Sequence, residues 1–352
     1  MLRRLSESNS IFLDLIRGIS AQLVLIGHGI FLFDLFDWDR TISMQEIAVL
    51  IFFILSGFII SYSSFSKKLN GYGFKRYFID RFSRIYPPLF LGLVFALIVD
   101  NIIIYFAPSE YPYYDHFNLT SFFGTLFNLE GFPIISKSFD IEPFGTARPT
   151  WSLAIEWWLY MAFGYFFFII HKIKKIKWHH AILFLFLMLS PVANIVSKSA
   201  LTISWILGSI IFYCFNKKIL SKLTNTSLLI YLCCILSILI ARYYIFRDEY
   251  DIVFSILLST AFLFLLELTQ NLKWNRSFKK IIRLNAKYSY TLYLTHVAVL
   301  NVFFLVFEGY NKYYLFIGTL VFSNVFAIFI GKIGEVYLTK KIKAVLINKF
   351  KV

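Results

Sequence analysis

Acidic residues are scarce in this 352-residue chain: 20 Asp+Glu stand against 35 Lys+Arg, and only 16% of all positions carry a charge of either sign. Soluble domains carry about 25%, so the composition excludes an ordinary water-soluble fold. Cysteine is almost missing as well. Cys214, Cys233 and Cys234 all fall inside apolar runs, which excludes a disulfide framework and leaves them as small packing residues. No His/Cys/Glu cluster has metal-ligand spacing, so no metal site is expected, and no glycine-rich loop could cradle a phosphate. Repeats of 20 to 50 residues and low-complexity tracts are also lacking, which excludes a solenoid.

What remains is apolar: 59% of the residues are hydrophobic and 20% aromatic. The expected fold is an all-α polytopic membrane protein. A span needs roughly 20 mostly apolar residues, and ten segments qualify: 11–33, 46–66, 85–106, 150–171, 180–197, 201–215, 226–246, 251–268, 288–308 and 313–337. Ten spans put both termini on one side. The connections on that side hold 26 of the 35 Lys+Arg, whereas the others collect Asp34, Asp37, Asp39, Glu110, Asp115, Glu130, Asp140, Glu142, Asp248, Glu249 and Asp251. The positive-inside rule makes both termini cytoplasmic. It also turns the basic excess into a statement about topology and lipid contact, with no nucleic acid implied. The N-terminus "MLRRLSESNS" is basic enough to precede a signal peptide, but Asp14 and Arg17 interrupt the apolar region and no convincing cleavage site follows, so a retained first span is expected.

One connection is long. Residues 107–149, on the outer side, are rich in aromatics, Gly and Pro, and long connections of this kind are more often functional than idle. Their middle, "LTSFFGTLFNL", is too short to span and suits an interfacial or re-entrant piece.

Ionisable groups inside spans cost at least about 2.5–3.5 kcal/mol on insertion scales and usually face protein or a watery cavity. In "RGISAQLVLIGH", residues 17–28, Arg17 and His28 are 11 residues apart, which on a helix is about 20° in direction and about 16 Å in height. Asp14, three residues earlier on that face, can neutralise Arg17. Read alone, Arg17 is equally compatible with snorkelling to the cytoplasmic surface, and His28 with hydrogen-bonded packing. In "PTWSLAIEWWLY", residues 149–160, Glu156 lies about two turns from the outer end of its span, the same depth as His28. A carboxylate there could hold the imidazole's tautomer and stabilise its protonated form; pairing with Arg148 is the alternative. In "FKRYFIDRFSRIYPP", residues 74–88, Arg76, Asp80 and Arg84 follow i, i+4, i+8 spacing beside Lys75 and Arg81, with Phe74, Tyr77, Phe78 and Phe82 on an apolar side. An interfacial helix is expected, ended or restarted by Pro87 and Pro88. Its cations could hold a phosphate-rich ligand; ordinary topology and anionic lipid explain the same charges equally well. Ser56-Gly57 in "FFILSGF" suits close helix approach, and His296 in "SYTLYLTH" suits either a cavity lining or local hydrogen bonding.

Taken together, "FLDLIRGISAQLVLIGH", "FFILSGFII", "RFSRIYP", "PTWSLAIEWWLY" and "YSYTLYLTH", in this order along the whole chain, resemble acyltransferase family 3, which includes bacterial O-acetyltransferases of surface polysaccharides. The resemblance implies transfer of an acyl group, usually acetyl, from cytoplasmic acyl-CoA to a hydroxyl of an extracytoplasmic glycan such as the O-antigen of lipopolysaccharide, by a multi-pass protein of the bacterial inner membrane. It implies that His28 is the catalytic residue, with Arg17, Arg81, Arg84 and Glu156 essential or supporting; on the reading of the residues themselves, Glu156 orients His28 in catalysis, Asp14, Trp151, Ser152 and His296 join Arg17 in support, and Lys75, Arg76, Arg81 and Arg84 are expected to bind acyl-CoA. Acetyl-CoA would be a donor substrate, with no cofactor held permanently. Some relatives add a soluble hydrolase-like domain after the tenth span; here one membrane domain over 1–352, ending in a basic tail, is expected. A transporter or flippase for a lipid-linked sugar or small anion would use similar buried charges. Against it, the two halves are not alike.

Overall fold

The computed structural model describes residues 2–35, 43–68, 71–172, 177–197, 199–246 and 250–351. Asp37, Asp39, Asp248 and Glu249, four of the acids assigned to outer connections, lie outside them. Among the described residues there is no strand. The helices are α1 (Glu7–Leu32), α2 (Met44–Lys68), α3 (Phe74–Phe106), α4 (Leu119–Leu126), α5 (Pro133–Phe139), α6 (Thr150–Phe168), α7 (Trp178–Val196), α8 (Leu201–Asn216), α9 (Asn225–Phe246), α10 (Ile252–Leu268), α11 (Arg276–Asn301), α12 (Lys312–Gly331) and α13 (Thr339–Phe350). Each expected span falls on a helix. Among the described residues eight are long and apolar enough to cross a membrane; the other two expected spans fall on α6 and on α8, which has 16 residues. The protein is a multi-pass integral membrane protein.

Two expectations are corrected. Pro87 and Pro88 do not divide an interfacial helix from a span: α3 runs unbroken for 33 residues, about 50 Å. Both prolines are buried, and in a packed membrane helix neighbouring elements can satisfy the backbone groups that proline frees. The basic tail is also no separate tail. Turns of π-helix at Lys332–Leu338 carry α12 into α13, giving a 39-residue helix from Lys312 to Phe350, about 58 Å and longer than any bilayer core.

The chain divides into two compact units. The first comprises Met1–Val24, Trp38–Tyr72 and Asn194–Ala286. Its core joins Phe12 and Leu13 of α1, Ile54, Leu55 and Phe58 of α2, Ile211, Phe212 and Phe215 of α8, and Phe262 and Leu266 of α10. Here the small residues do what small residues in spans do: a β-carbon at Gly57 would collide with the carbonyl oxygen of Trp205, and one at Gly208 with that of Ile54. The close crossing is sealed by Ser61 Oγ donating to Ser209 Oγ at 2.9 Å and Trp205 Nε1 donating to Ser56 Oγ at 3.2 Å. Arg3 closes the unit's end by a bidentate pair with Glu267, both contacts 2.9 Å.

The second unit comprises Leu25–Asp37, Gly73–Ala193 and Lys287–Val352. In it α3 packs against α6 and α13. Tyr77 lies against Gly164, with no β-carbon between them, and donates to the Tyr160 carbonyl at 3.0 Å. The 107–149 connection is built on this unit. Asp100, wholly buried in α3, accepts from the Thr146 amide at 3.0 Å, beside Gly145 at φ +46°, where a side chain would strike the carboxylate. As expected, "LTSFFGTLFNL" does not span; it supplies α4, eight residues long, whose Ser121, Gly124 and Thr125 are buried.

Candidate active site

Of the candidate catalytic, supporting and donor-binding residues, all but Asp14 and Arg17 fall in the second unit. In the first unit Arg17 Nη1 lies 3.7 Å from Asp14 Oδ1, the i, i+3 pair expected on α1. Gly18 on the same helix is pressed against Asn285.

His28, near the end of α1, meets His296 of α11. The Nε2 of His296 lies 3.3 Å from the Nδ1 of His28, with ring centroids 5.1 Å apart. His296 is fully buried, whereas His28 is half-buried. The Nδ1 of His296 is 2.7 Å from the carbonyl oxygen of Tyr293. A carbonyl can only accept, so this nitrogen carries a proton, and in the neutral ring Nε2 is then an acceptor. The proton between the two rings consequently sits on Nδ1 of His28, and the lone pair of His28 is left on Nε2. The contact assigns a tautomer to an imidazole that the sequence could only place.

Glu156 does not take that role. Its Oε1 accepts from the hydroxyl of Tyr160, four residues on along α6, at 2.5 Å. The expected pairing of Glu156 with His28 thus gives way to two pairs, because equal depth in the membrane leaves rotation about each helix axis open and a carboxylate is readily satisfied by a partner at i+4. Pairing with Arg148 is ruled out as well, since Arg148 binds Glu142 at 2.9 Å. Ser152, buried one turn before Glu156, lies 2.6 Å from the hydroxyl of Tyr293, which joins α6 to the helix that carries His296. Its neighbour Trp151 instead exposes 39% of its surface.

The cationic set on α3 separates by environment. Lys75 and Arg84 are exposed and Arg76 is half-buried, but Arg81 retains only 7% of its surface. Its guanidinium lies 5.8 Å from the Tyr77 ring and 5.9 Å from the Tyr160 ring, and its Nε has no hydrogen-bond partner among the described residues. Asp80 forms its described ion pair with Lys343 of α13, at 2.7 Å. Sequence reasoning passed over Tyr160, Tyr293, Lys343 and Glu335. Glu335 sits in the π turns and accepts from both the amide and the hydroxyl of Thr291, at 2.8 and 2.6 Å. Charge within a span was the signal available for Glu335; the tyrosines lay unmarked inside quoted motifs.

Long apolar helices with two paired imidazoles among them define a multi-pass membrane protein with a histidine-centred site. A family model described as an acyltransferase domain matches residues 10–332, so the chain belongs to acyltransferase family 3 and is a membrane acyltransferase. No curated protein and no solved structure matches it.

Proposed function

We infer that this acyltransferase is an O-acetyltransferase of the bacterial cytoplasmic membrane, with acetyl-CoA as donor substrate and a hydroxyl of an extracytoplasmic sugar, in O-antigen or another surface polysaccharide, as acceptor. The observation that carries the reading is the chain from the Tyr293 carbonyl through His296 to His28, which puts the ring proton of His28 on Nδ1 and its lone pair on Nε2. In the reaction Nε2 removes the hydroxyl proton, the oxygen attacks the thioester carbonyl, and the carbon–sulfur bond breaks to release the CoA thiolate. The imidazolium then returns its proton to the thiolate, and the products are the acetyl ester and CoA. His296 fixes the ring and, as a neutral acceptor, stabilises the imidazolium through the same bond. Tyr160, which flanks Arg81, and Glu156, bound to Tyr160, are read as a polar wall of the donor path. Arg81 and Arg84 offer guanidinium donors to the nucleotide phosphates, with Lys75 and Arg76 adding positive field. Arg17, held by Asp14, supports from the same helix as His28. Ser152 and Tyr293 brace α6 on α11.

The test is the mass of the surface polysaccharide from cells with the wild-type protein, with His28→Ala, and without the protein. An acetyl increment per repeat is expected only with the wild type. An unchanged increment in the His28→Ala cells would contradict the assignment.

A further inference from the structure

The 107–149 connection carries a polar pair that the reaction above does not use. Arg148 Nη2 donates to Glu142 Oε2 at 2.9 Å, and His116 Nε2 lies 3.6 Å from the same oxygen. Both contacts fall on Oε2, so Oε1 of Glu142 accepts no hydrogen bond among the described residues. Arg148 likewise engages Glu142 through one nitrogen, and its remaining donors meet no acceptor among the described residues. The two side chains stay 35% and 49% exposed. The guanidinium lies 5.7 Å from the centroid of the Tyr113 ring. Tyr113 in turn packs against a buried cluster of Val99 and Ile103 of α3, Tyr111, and Ala298 of α11, which stands only about 3 Å along the helix axis from His296. The loop that bears the pair is fixed as well: the Gly145 amide donates to the His116 carbonyl at 3.2 Å, and Phe144 stacks on Phe117 with centroids 5.1 Å apart.

We propose that Glu142 and Arg148, with the Tyr113 ring beside them, form a subsite for a neutral sugar residue of the acceptor: one sugar hydroxyl donates to Glu142 Oε1, and Arg148 donates to the oxygen of the adjacent one. The inference rests on the reading of an extracytoplasmic sugar as acceptor. A hydroxyl both donates and accepts, so adjacent hydroxyls match a carboxylate beside a guanidinium. The charges of the pair cancel, and Arg148 also acts on the buried Glu130 carboxylate, so no surplus positive charge is left for an anionic sugar. An ion pair this exposed contributes little to stability. Its residues can therefore be replaced without unfolding the protein.

The test is the initial rate of labelled acetyl transfer from acetyl-CoA to surface polysaccharide isolated from cells lacking the protein, with melting temperature recorded for each full-length variant. Glu142→Ala is expected to raise the apparent KM for polysaccharide about 10-fold to 100-fold, the loss of a hydrogen bond to a charged group, with kcat and the acetyl-CoA KM within about twofold of wild type. Glu142→Gln is expected to recover part of that loss, because its carbonyl still accepts although the ion pair with Arg148 is gone. Arg148→Lys, which keeps the charge but not the fork, is expected to raise the same KM about threefold to tenfold. A Glu142→Gln variant as weak as Glu142→Ala, both melting lower than wild type, would overturn the proposal in favour of a structural ion pair. An unchanged polysaccharide KM in Glu142→Ala would overturn the subsite and leave the acceptor reading standing, whereas no transfer to polysaccharide by the wild type would remove that reading and the subsite with it.

Discussion

At the scale of single residues, the site turns on which nitrogen of His28 carries the proton. His296 replaced by Leu removes the acceptor for the His28 Nδ1 proton. We expect kcat to fall about 10-fold to 100-fold, part of the ~10²–10⁴-fold a positioned base supplies, with donor KM unchanged and the acidic limb of the pH–rate profile displaced. His296→Gln, whose carbonyl can accept the same proton, should recover part of the rate; a purely packing role for His296 would leave the pH limb where it was. Glu130, in the 107–149 connection, behaves differently. Burial of its carboxylate raises its pKa to about 7, against partial relief from Thr150, Thr125 and Arg148. The folded protein therefore binds more protons than the unfolded chain from about pH 4.5 to about pH 7, and the group's contribution to stability falls over that window as pH rises. Melting temperatures of wild type and Glu130→Gln should diverge across this range, the variant gaining relative to wild type and the gap levelling above about pH 7; parallel curves would refute it. His28 was legible in the sequence because an ionisable group in a span must be accounted for. Its partner was not: Glu156 matched His28 in depth, but only the packed helices show that α11 presents His296 there.

At the scale of elements, proline and glycine show where local rules hold and where packing overrides them. Ser56-Gly57 marked a close approach, and the partner surface is α8, with Gly208 returning the favour at Ile54. Gly57→Leu should destabilise the protein by about 1–3 kcal/mol, the usual cost of overpacking, seen as a lower melting temperature in detergent. Ser61→Ala, which loses one interhelical hydrogen bond to Ser209, should cost about 0.6 kcal/mol. If the leucine variant melted no lower than the alanine one, the two backbones would not be as close as Gly57 and Gly208 put them. Pro87 and Pro88 misled in the opposite direction. In isolation an internal proline ends a helix, whereas in α3 both are buried among neighbours and the helix continues, so that Lys75, Arg76, Arg81 and Arg84 stand on the same rod as Asp100. The continuation of α12 through π turns into α13 was equally invisible, because nothing in "GKIGEVYLTKKIK" breaks the apolar-to-basic gradient that reads as the end of a span.

At the scale of the whole molecule, composition alone established a polytopic α-helical membrane protein, and the order of motifs along the chain pointed to the family that the comparison then showed. Composition cannot reveal that each of two units is built from three separate segments of the chain, or that the second gathers His28, Ser152, Glu156, His296 and the α3 arginines from segments far apart in sequence. On the proposed function, that gathering puts the base and the cationic donor site in one packed unit. The most direct measurement is transfer of labelled acetyl from acetyl-CoA to isolated surface polysaccharide by the purified protein, wild type beside His28→Ala, with coenzyme A affinity measured on both. The account predicts label in the polysaccharide, matched by CoA released, for the wild type only, and the same affinity in both proteins. Transfer by His28→Ala at the wild-type rate would contradict it.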